Sequence, residues 1–113
     1  MDNCLFCKII SGTIPATKRY EDDLVFAFDD IHPKAPVHIL IIPKIHIANI
    51  NNIDDSKISL AGHMIYVAKN LARKNNIQDS GYRLVFNTNQ NAGQEVSHLH
   101  LHLIGGSRLS SMA

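Results

Sequence analysis

The sequence has few cysteines, little net charge and no long apolar run, and each of these features excludes a class of protein. Its 113 residues include two cysteines, Cys4 and Cys7. A disulfide between them would close a very small loop, so a disulfide framework is not expected. No apolar stretch approaches the roughly 20 residues that span a bilayer, and the N-terminus lacks a basic region followed by an apolar run. We therefore expect a cytoplasmic protein with no membrane partner.

The charged residues nearly balance, because 11 Lys and Arg face 10 Asp and Glu, for a net charge of +1. They are spread along the chain, so no basic patch for duplex nucleic acid is visible and no nucleic-acid partner is expected. The content of 45% hydrophobic and 19% charged residues is that of an ordinary globular protein. With no repeat, linker or low-complexity tract, residues 1–113 are expected to form a single domain with one core.

The pattern of apolar residues, prolines and glycines predicts an α+β fold. Residues 4–10 predict a short helix that packs as a lid on the core. Residues 56–74 repeat apolar residues at helical spacing and predict a long amphipathic helix, capped by Asp54, Asp55 or Ser56. Strands outnumber helices and are joined by hairpins rather than βαβ units, which favours the α+β class. The predicted strands lie at residues 18–21, 24–28, 37–42, 82–86 and 98–104.

The strand at residues 37–42 is expected at the centre of the sheet. Its β-branched apolar run, between Pro36 and Pro43, is typical of a strand that is buried on both faces. The segment at residues 30–36 contains two prolines, which lack backbone N–H donors, so it predicts a loop.

Three of the seven histidines alternate with leucines at the end of the chain. On a strand, His98, His100 and His102 would share one face and the leucines the other. Successive residues on one face lie about 6.6 to 6.8 Å apart, so the first and third imidazole stems would be roughly 13 Å apart, too far for one metal ion. We predict a row of imidazoles along a groove, with His100 as the nucleophile. The alternative is an exposed strand edge with incidental histidines.

The loop before these histidines is rich in short amides. Residues 87–97 include several Asn and Gln side chains and Gly93, which could present N–H donors to the oxygens of a phosphate. The same composition is typical of ordinary turns, so the loop by itself does not identify a ligand.

The run at residues 98–104 resembles the signature of the histidine triad superfamily of nucleotide hydrolases and transferases. The similarity covers nearly the whole chain and is strongest to the bacterial branch of the histidine triad nucleotide-binding (Hint) proteins. Further matching segments lie at residues 6–10, 14–15, 20–23, 30–31, 35–38, 42–44, 81–83 and 93–95.

This resemblance implies an antiparallel five-stranded sheet, with one long and one short helix, that continues across a homodimer. It implies that the protein binds purine nucleotides such as AMP or GMP. The implied reaction is hydrolysis of adenosine 5′-phosphoramidates and of acyl-adenylates such as lysyl-AMP, with release of AMP and no cofactor required for catalysis.

The resemblance also implies roles for individual residues. His100 would form a nucleotidyl-imidazole intermediate, and His102 would bind the α-phosphate. His38 and His98 would complete the cluster, and Asp30 would bind the ribose hydroxyls. An apolar nucleoside pocket would be formed by Phe6, Ile9, Phe28, Ile31 and Leu40. Each residue of this pocket also has a plain structural interpretation as core, and Asp30 has one as a turn cap.

The same resemblance places the amide-rich loop at the phosphate. Asn87, Gly93, Gln94 and the backbone near Val96 would stabilise charge on the phosphoryl oxygens. Many eukaryotic members of the family have serine where this chain has Glu95. A carboxylate would repel a phosphate, so we expect the Glu95 side chain to turn away and a backbone amide to bind instead.

Two cysteines and two histidines form a second candidate site. Cys4 and Cys7 form a C-x2-C pair, and with His46 and His98 they could supply the tetrahedral Cys2His2 set of a zinc ion. The alternative is two reduced thiols beside the short helix. A zinc ion there would be structural, because four protein ligands leave no open position for water, and His98 would then be a ligand rather than a catalyst.

Three other functions compete with phosphoramidate hydrolysis. A dinucleoside polyphosphate hydrolase would use the same chemistry, but Gly93-Gln94-Glu95 and Gly105-Gly106 resemble the first branch more closely. A nucleotide-binding regulator would bind AMP with only incidental turnover. A metal-dependent hydrolase with zinc on the histidine triad is disfavoured by the strand spacing.

Overall fold

The centre of the structure, a computed structural model that describes residues 3–112, is a five-stranded antiparallel sheet. Positions 1, 2 and 113 of the expected domain lie outside the described residues. The strand order is β1-β2-β3-β5-β4, and every neighbouring pair is antiparallel. The strands are β1 (Lys18–Glu21), β2 (Val25–Asp29), β3 (Val37–Pro43), β4 (Tyr82–Phe86) and β5 (Leu101–Gly105). This arrangement confirms the predicted fold class.

The central strand β3 separates two apolar clusters, as its sequence predicts. Ile39 and Ile41 belong to a large cluster on one face of the sheet, and Leu40 and Ile42 belong to a smaller cluster on the other face. Burial of each such side chain contributes about 1.5 to 3 kcal/mol to stability. Both faces therefore need a cover, and the two helices provide it.

The long helix α2 (Ile58–Lys74) covers the face with the larger cluster. A 3-10 turn (Asp55–Lys57) precedes it, and the Asp54 carboxylate accepts a hydrogen bond from the Ser56 amide at 3.0 Å. The helix therefore begins two residues later than predicted, because capping takes place on the 3-10 turn. The buried stripe of α2 consists of Met64, Val67, Ala68, Leu71 and Ala72.

The short helix α1 (Leu5–Ile10) covers the other face, where Phe6 and Ile9 are buried in the smaller cluster. Cys4 is its N-cap residue, and the Cys4 sulfur accepts a hydrogen bond from the Cys7 amide at 3.3 Å. No helix among residues 3–112 is both long and apolar enough to cross a membrane.

The last strand is shorter than the sequence predicts. A strand was expected over residues 98–104, but β5 begins at Leu101. Continuing its pairing with β3 would bring Leu99 opposite Pro43, which has no N–H for the Leu99 carbonyl and whose own carbonyl accepts from His98 Nε2. The Leu99 amide instead donates to the Ile47 carbonyl at 2.6 Å. The first two histidines of the triad therefore lie outside the regular sheet.

Candidate active site

A cavity of about 530 Å³ lies on the α1 side of the sheet. Helix α1, the loop between β2 and β3, the central strands and the loop after β4 all contribute to its lining. Of the residues singled out from the sequence, it is lined by Phe6, Ile9, Phe28, Asp30, Ile31, His38, Leu40, Asn87, Gly93, Glu95, Val96, His100 and His102. Apart from Gly93, six of these residues are apolar and six are polar, which suits a nucleoside joined to a phosphate.

The tautomer of His100 is fixed by the backbone of His98. Its Nδ1 lies 2.7 Å from the carbonyl oxygen of His98. A carbonyl can only accept, so Nδ1 carries the proton and Nε2 keeps its lone pair. Nε2 has no hydrogen-bond partner among residues 3–112. Burial lowers the pKa of His100 below its ordinary value, which keeps the ring neutral and nucleophilic near neutral pH.

His102 has the opposite arrangement. The Lys34 amide donates to His38 Nδ1 at 3.0 Å, so the proton of the neutral His38 ring is on Nε2. His38 Nε2 then donates to His102 Nδ1 at 2.9 Å, which leaves the His102 proton on Nε2. This Nε2 is buried and has no partner among the described residues. A buried, unpaired donor on a cavity wall is suited to an oxygen of a ligand.

Burial holds this pair of imidazoles in the neutral state. It lowers the pKa of His102 to about 4, with a further contribution from the neighbouring His100. Burial also lowers the pKa of His38. The cavity therefore presents one free lone pair, on His100, and one free N–H, on His102.

Asp30 lies beside this pair and also serves as a turn cap. One of its carboxylate oxygens accepts from the His32 amide at 2.9 Å, and the other lies 3.4 Å from His38 Nε2. Asp30, His38 and His102 place their polar atoms within 4.8 Å of one another, as a metal site would require. A metal ion does not fit this set, because the His38 tautomer puts a proton on the nitrogen that would have to bind it.

The loop after β4 meets the cavity with Asn87, Gly93, Glu95 and Val96, but not with Gln94. Gln94, which was expected to face the phosphate, does not line the cavity, because both polar atoms of its side chain are engaged elsewhere. Its amide nitrogen donates to the carbonyls of Ala48 and Val96, at 2.8 and 3.0 Å, and its oxygen accepts from the Asn89 amide at 2.8 Å. Gln94 therefore holds the loop in place.

His98 also departs from the predicted row of imidazoles. It is fully buried and does not line the cavity. Its Nδ1 lies 3.3 Å from the Cys4 sulfur and 3.6 Å from the Cys7 sulfur, and Cys7 lies 3.5 Å from His46 Nδ1. The ring turns away because its Nε2 donates to the Pro43 carbonyl at 2.9 Å. The predicted Cys2His2 set is thus brought together, separately from the cavity.

The apolar residues of the cavity also form part of the core. Phe6, Phe28 and Leu40 are buried, and the Phe6 ring packs edge-on against Phe28 and against His100, with centroids 5.6 and 5.0 Å apart. These residues therefore belong to the core and also line the cavity. Ile31 differs, because it is 82% exposed on the rim.

Two residues with polar side chains at the cavity were missed in the sequence. His32 and Lys34 line it from the loop between β2 and β3. Their only sequence signal is their position next to Asp30 in a proline-containing loop, and this signal does not distinguish them from solvent-exposed loop residues.

The family follows from a comparison of the whole chain. A family model described as the HIT domain matches residues 11–109. The chain belongs to the HIT family. This finding confirms the resemblance to histidine triad proteins, whose signature is the run that contains His100 and His102.

Individual HIT relatives are similar over nearly their full length. The purine nucleoside phosphoramidase of Escherichia coli (strain K12) is 48% identical over 111 residues, which cover 98% of this chain and 93% of the relative. The 14 kDa zinc-binding protein of Zea mays is 43% identical over 108 residues, 94% of this chain and 84% of the relative. The crystal structure of a HIT family hydrolase from Legionella pneumophila superposes with a TM-score of 0.93 at 53% identity, covering 96% of each chain. The chain is a hydrolase of the HIT type.

The neutral imidazoles of the HIT site predict an acid-sensitive fold. In the unfolded chain His102 titrates near its ordinary value of 6.5, whereas in the folded protein its pKa is about 4. Between these values the unfolded chain binds more protons, so stability is full above pH 6.5 and is lost as pH falls towards 4. Urea denaturation from about pH 7.5 to about pH 4.5 is expected to show a loss of at least about 2 kcal/mol.

Two variants identify the group responsible. His102→Gln should reduce the slope of stability against pH, whereas His32→Gln, which removes an exposed imidazole, should leave it unchanged. If stability depends on pH equally in both variants, His102 is not the group whose lowered pKa causes the loss of stability in acid.

Proposed function

We propose that the chain hydrolyses purine nucleoside 5′-phosphoramidates and acyl-adenylates through a nucleotidyl-histidine at His100, with release of AMP or GMP. The observation that carries this proposal is the hydrogen bond from His100 Nδ1 to the His98 carbonyl, since it leaves Nε2 as a free nucleophile at the cavity. The name of the Escherichia coli relative, a purine nucleoside phosphoramidase at 48% identity, supports the same reaction.

The chemistry takes two displacements at phosphorus. His100 Nε2 attacks the α-phosphorus, a phosphorus–nitrogen bond to the imidazole forms, and the bond to the leaving carboxylate or amine breaks; a leaving amine takes one proton from solvent, which the water of the next step returns. Water then attacks the same phosphorus, the bond to His100 breaks, and the nucleoside monophosphate leaves with the ring neutral again. His102 Nε2–H donates to a phosphoryl oxygen in both steps, and backbone amides near Val96 add further donors.

The remaining lining residues suit the nucleoside. Phe6, Ile9, Phe28 and Leu40 form an apolar wall for a purine ring. Asp30 keeps a carboxylate oxygen at the cavity, where it can accept from the ribose hydroxyls. These residues lie on the same side of the sheet as the imidazoles, so one bound nucleotide reaches both groups.

The nucleophile is tested by turnover of a fluorogenic adenosine phosphoramidate. His100→Ala removes the attacking nitrogen, and we expect kcat/KM to fall by at least about a thousandfold while the fold is retained. His63→Ala is the matched control, because His63 lies outside the cavity and pairs with Asp22 at 2.7 Å. Its kcat/KM should stay within about twofold of the wild type.

The same assay separates the competing functions. Faster turnover of a dinucleoside tetraphosphate than of the phosphoramidate would favour the polyphosphate hydrolase. AMP binding without turnover of either compound would favour a regulatory binding protein. A His100→Ala variant that keeps its activity would remove His100 from the mechanism.

We further propose that the Cys4, Cys7, His46 and His98 cluster binds a structural zinc ion. Tetrahedral zinc, with bonds of about 2.3 Å to sulfur and about 2.0 to 2.1 Å to nitrogen, would separate sulfur and nitrogen ligands by about 3.6 Å. The sulfur–nitrogen distances of 3.3, 3.5 and 3.6 Å match this value. The hydrogen bond from His98 Nε2 to Pro43 leaves Nδ1 free for the metal, and burial lowers the pKa of His98. The name of the Zea mays relative supports this assignment.

Zinc content and thermal unfolding test this proposal together. We expect about one zinc per chain by elemental mass spectrometry, and less after Cys7→Ser. A strong chelator should lower the Tm, because the ion links α1 to the segment that carries His100. The chemical step in single turnover should remain within about twofold, since four protein ligands leave no position for substrate. A metal-free protein with an unchanged Tm would favour two reduced thiols.

We also propose that the sheet continues across a homodimer through β4. Both edges of the sheet, β1 and β4, expose backbone groups. Edge strands with charged residues resist pairing with another chain. Strand β1 has three charged residues, Lys18, Arg19 and Glu21, whereas β4 has one, Arg83. Strand β4 is therefore the edge better suited to pairing. Two β4 strands that pair antiparallel about a twofold axis would form one ten-stranded sheet.

Light scattering tests the assembly. We expect twice the mass of one chain, and Val85→Pro should shift it towards one chain, because proline removes a backbone donor from β4. The control is Arg19→Pro, which lies on the opposite edge strand, β1. Val25→Pro is not used, because Val25 is fully buried in β2. If Arg19→Pro dissociates the assembly and Val85→Pro does not, the interface lies at β1.

A further inference from the structure

The Cys4, Cys7, His46 and His98 cluster lies directly behind the nucleophile, although it is separate from the cavity. Two contacts connect them. His98, whose ring contacts both sulfurs, also supplies the carbonyl that orients His100 at 2.7 Å. Through this first contact, a change at the sulfurs can reach His100 by way of one intervening residue, His98.

The second contact is Phe6, which lies between the two cysteines in the chain. Its ring packs edge-on against both His98 and His100, with centroids 5.9 and 5.0 Å away. Leu5, Phe6 and Ile9 of α1 all line the cavity. The wall of the nucleotide cavity is thus part of the same turn that carries the cysteines.

We propose that Cys4 and Cys7 are a reversible redox modification site, and that their oxidation to a disulfide by a peroxide lowers nucleotide affinity. This inference rests on the nucleotide site of the proposed function. In the reaction each thiol loses one hydrogen, a sulfur–sulfur bond forms, the oxygen–oxygen bond of the peroxide breaks, and two waters leave when the oxidant is hydrogen peroxide. From a zinc-bound dithiolate the same reaction takes two protons from solvent and releases the ion.

The geometry explains why oxidation would disturb the cavity. Each sulfur now lies 3.3 to 3.6 Å from an imidazole nitrogen, whereas a disulfide requires a sulfur–sulfur distance of about 2.05 Å. The sulfurs must therefore leave the imidazoles, and the Cys4 sulfur must change its N-cap bond to the Cys7 amide. Reduced thiols without metal keep these contacts, so the disulfide form is the one that displaces Phe6.

The chemistry is accessible and unambiguous in this chain. Both cysteines are partly exposed, so a small oxidant can reach them. They are the only two cysteines in the sequence, so no other thiol can pair with them intramolecularly. In a reducing compartment such a disulfide would be transient, as expected of a redox sensor rather than a structural bridge.

AMP affinity, measured by calorimetry, tests the proposal in three forms of the full chain: reduced with zinc, reduced after chelation, and oxidised with hydrogen peroxide. Mass spectrometry confirms the loss of two hydrogens in the last form. We expect AMP to bind about equally to both reduced forms and at least about tenfold more weakly to the oxidised form. A thiol reductant with added zinc should restore the affinity.

Cys4→Ala/Cys7→Ala is the matched control, because it still contains the three methionines that peroxide can also oxidise. Peroxide should leave its AMP affinity unchanged; if the double variant does not fold, Cys4→Ala alone serves, since it cannot form the internal disulfide. An oxidised wild type that contains the disulfide and binds AMP as tightly as the reduced form would overturn the inference. A reduced protein that does not bind AMP would instead count against the proposed nucleotide site.

Discussion

The hydrogen bond from His100 Nδ1 to the carbonyl of His98 decides what the site can do, and it depends on an interruption of the sheet. In a continuous ladder a strand carbonyl is directed to a neighbouring strand. Pairing between β3 and β5 stops at Leu101, so residues 98–100 lie outside the ladder. The carbonyl of His98 is then free to accept from a side chain two residues later, and the nucleophilic nitrogen is left unprotonated.

Burial of the imidazoles follows from the same sheet. β3 and β5 carry histidines on the face opposite α2, and this face would be exposed if α1 did not cover it. The Phe6 ring of α1 excludes water from His100 and so helps to hold its pKa below the ordinary value. The short helix is therefore more than a lid on the core, because it also helps to keep the His100 ring neutral.

Much of this architecture is predictable because its signals are local. The β-branched run of β3 and the helical period of α2 identify those elements to within two residues, and the C-x2-C spacing with two histidines identifies the second cluster. Signals that depend on long-range partners are not predictable in this way. The alternation around His98 and His100 predicts a strand that the structure does not form. The residue next in register, Pro43, lies more than 50 positions away in the chain, so the local pattern carries no sign of it. The hydrogen bonds of Gln94 to Ala48 and of the Lys34 amide to His38 leave no pattern in the sequence.

The two roles of His98 explain why one residue of the triad does not line the cavity. Its ring contacts the two cysteine sulfurs and donates a hydrogen bond to the Pro43 carbonyl. Its main-chain carbonyl orients His100. Only the ring depends on residue type, since any residue supplies a carbonyl. The histidine at position 98 is therefore required by the cluster, and the cluster in turn holds the backbone at the place where His100 Nδ1 needs its acceptor. The cluster and His100 are thus linked through one peptide group rather than through a shared side chain.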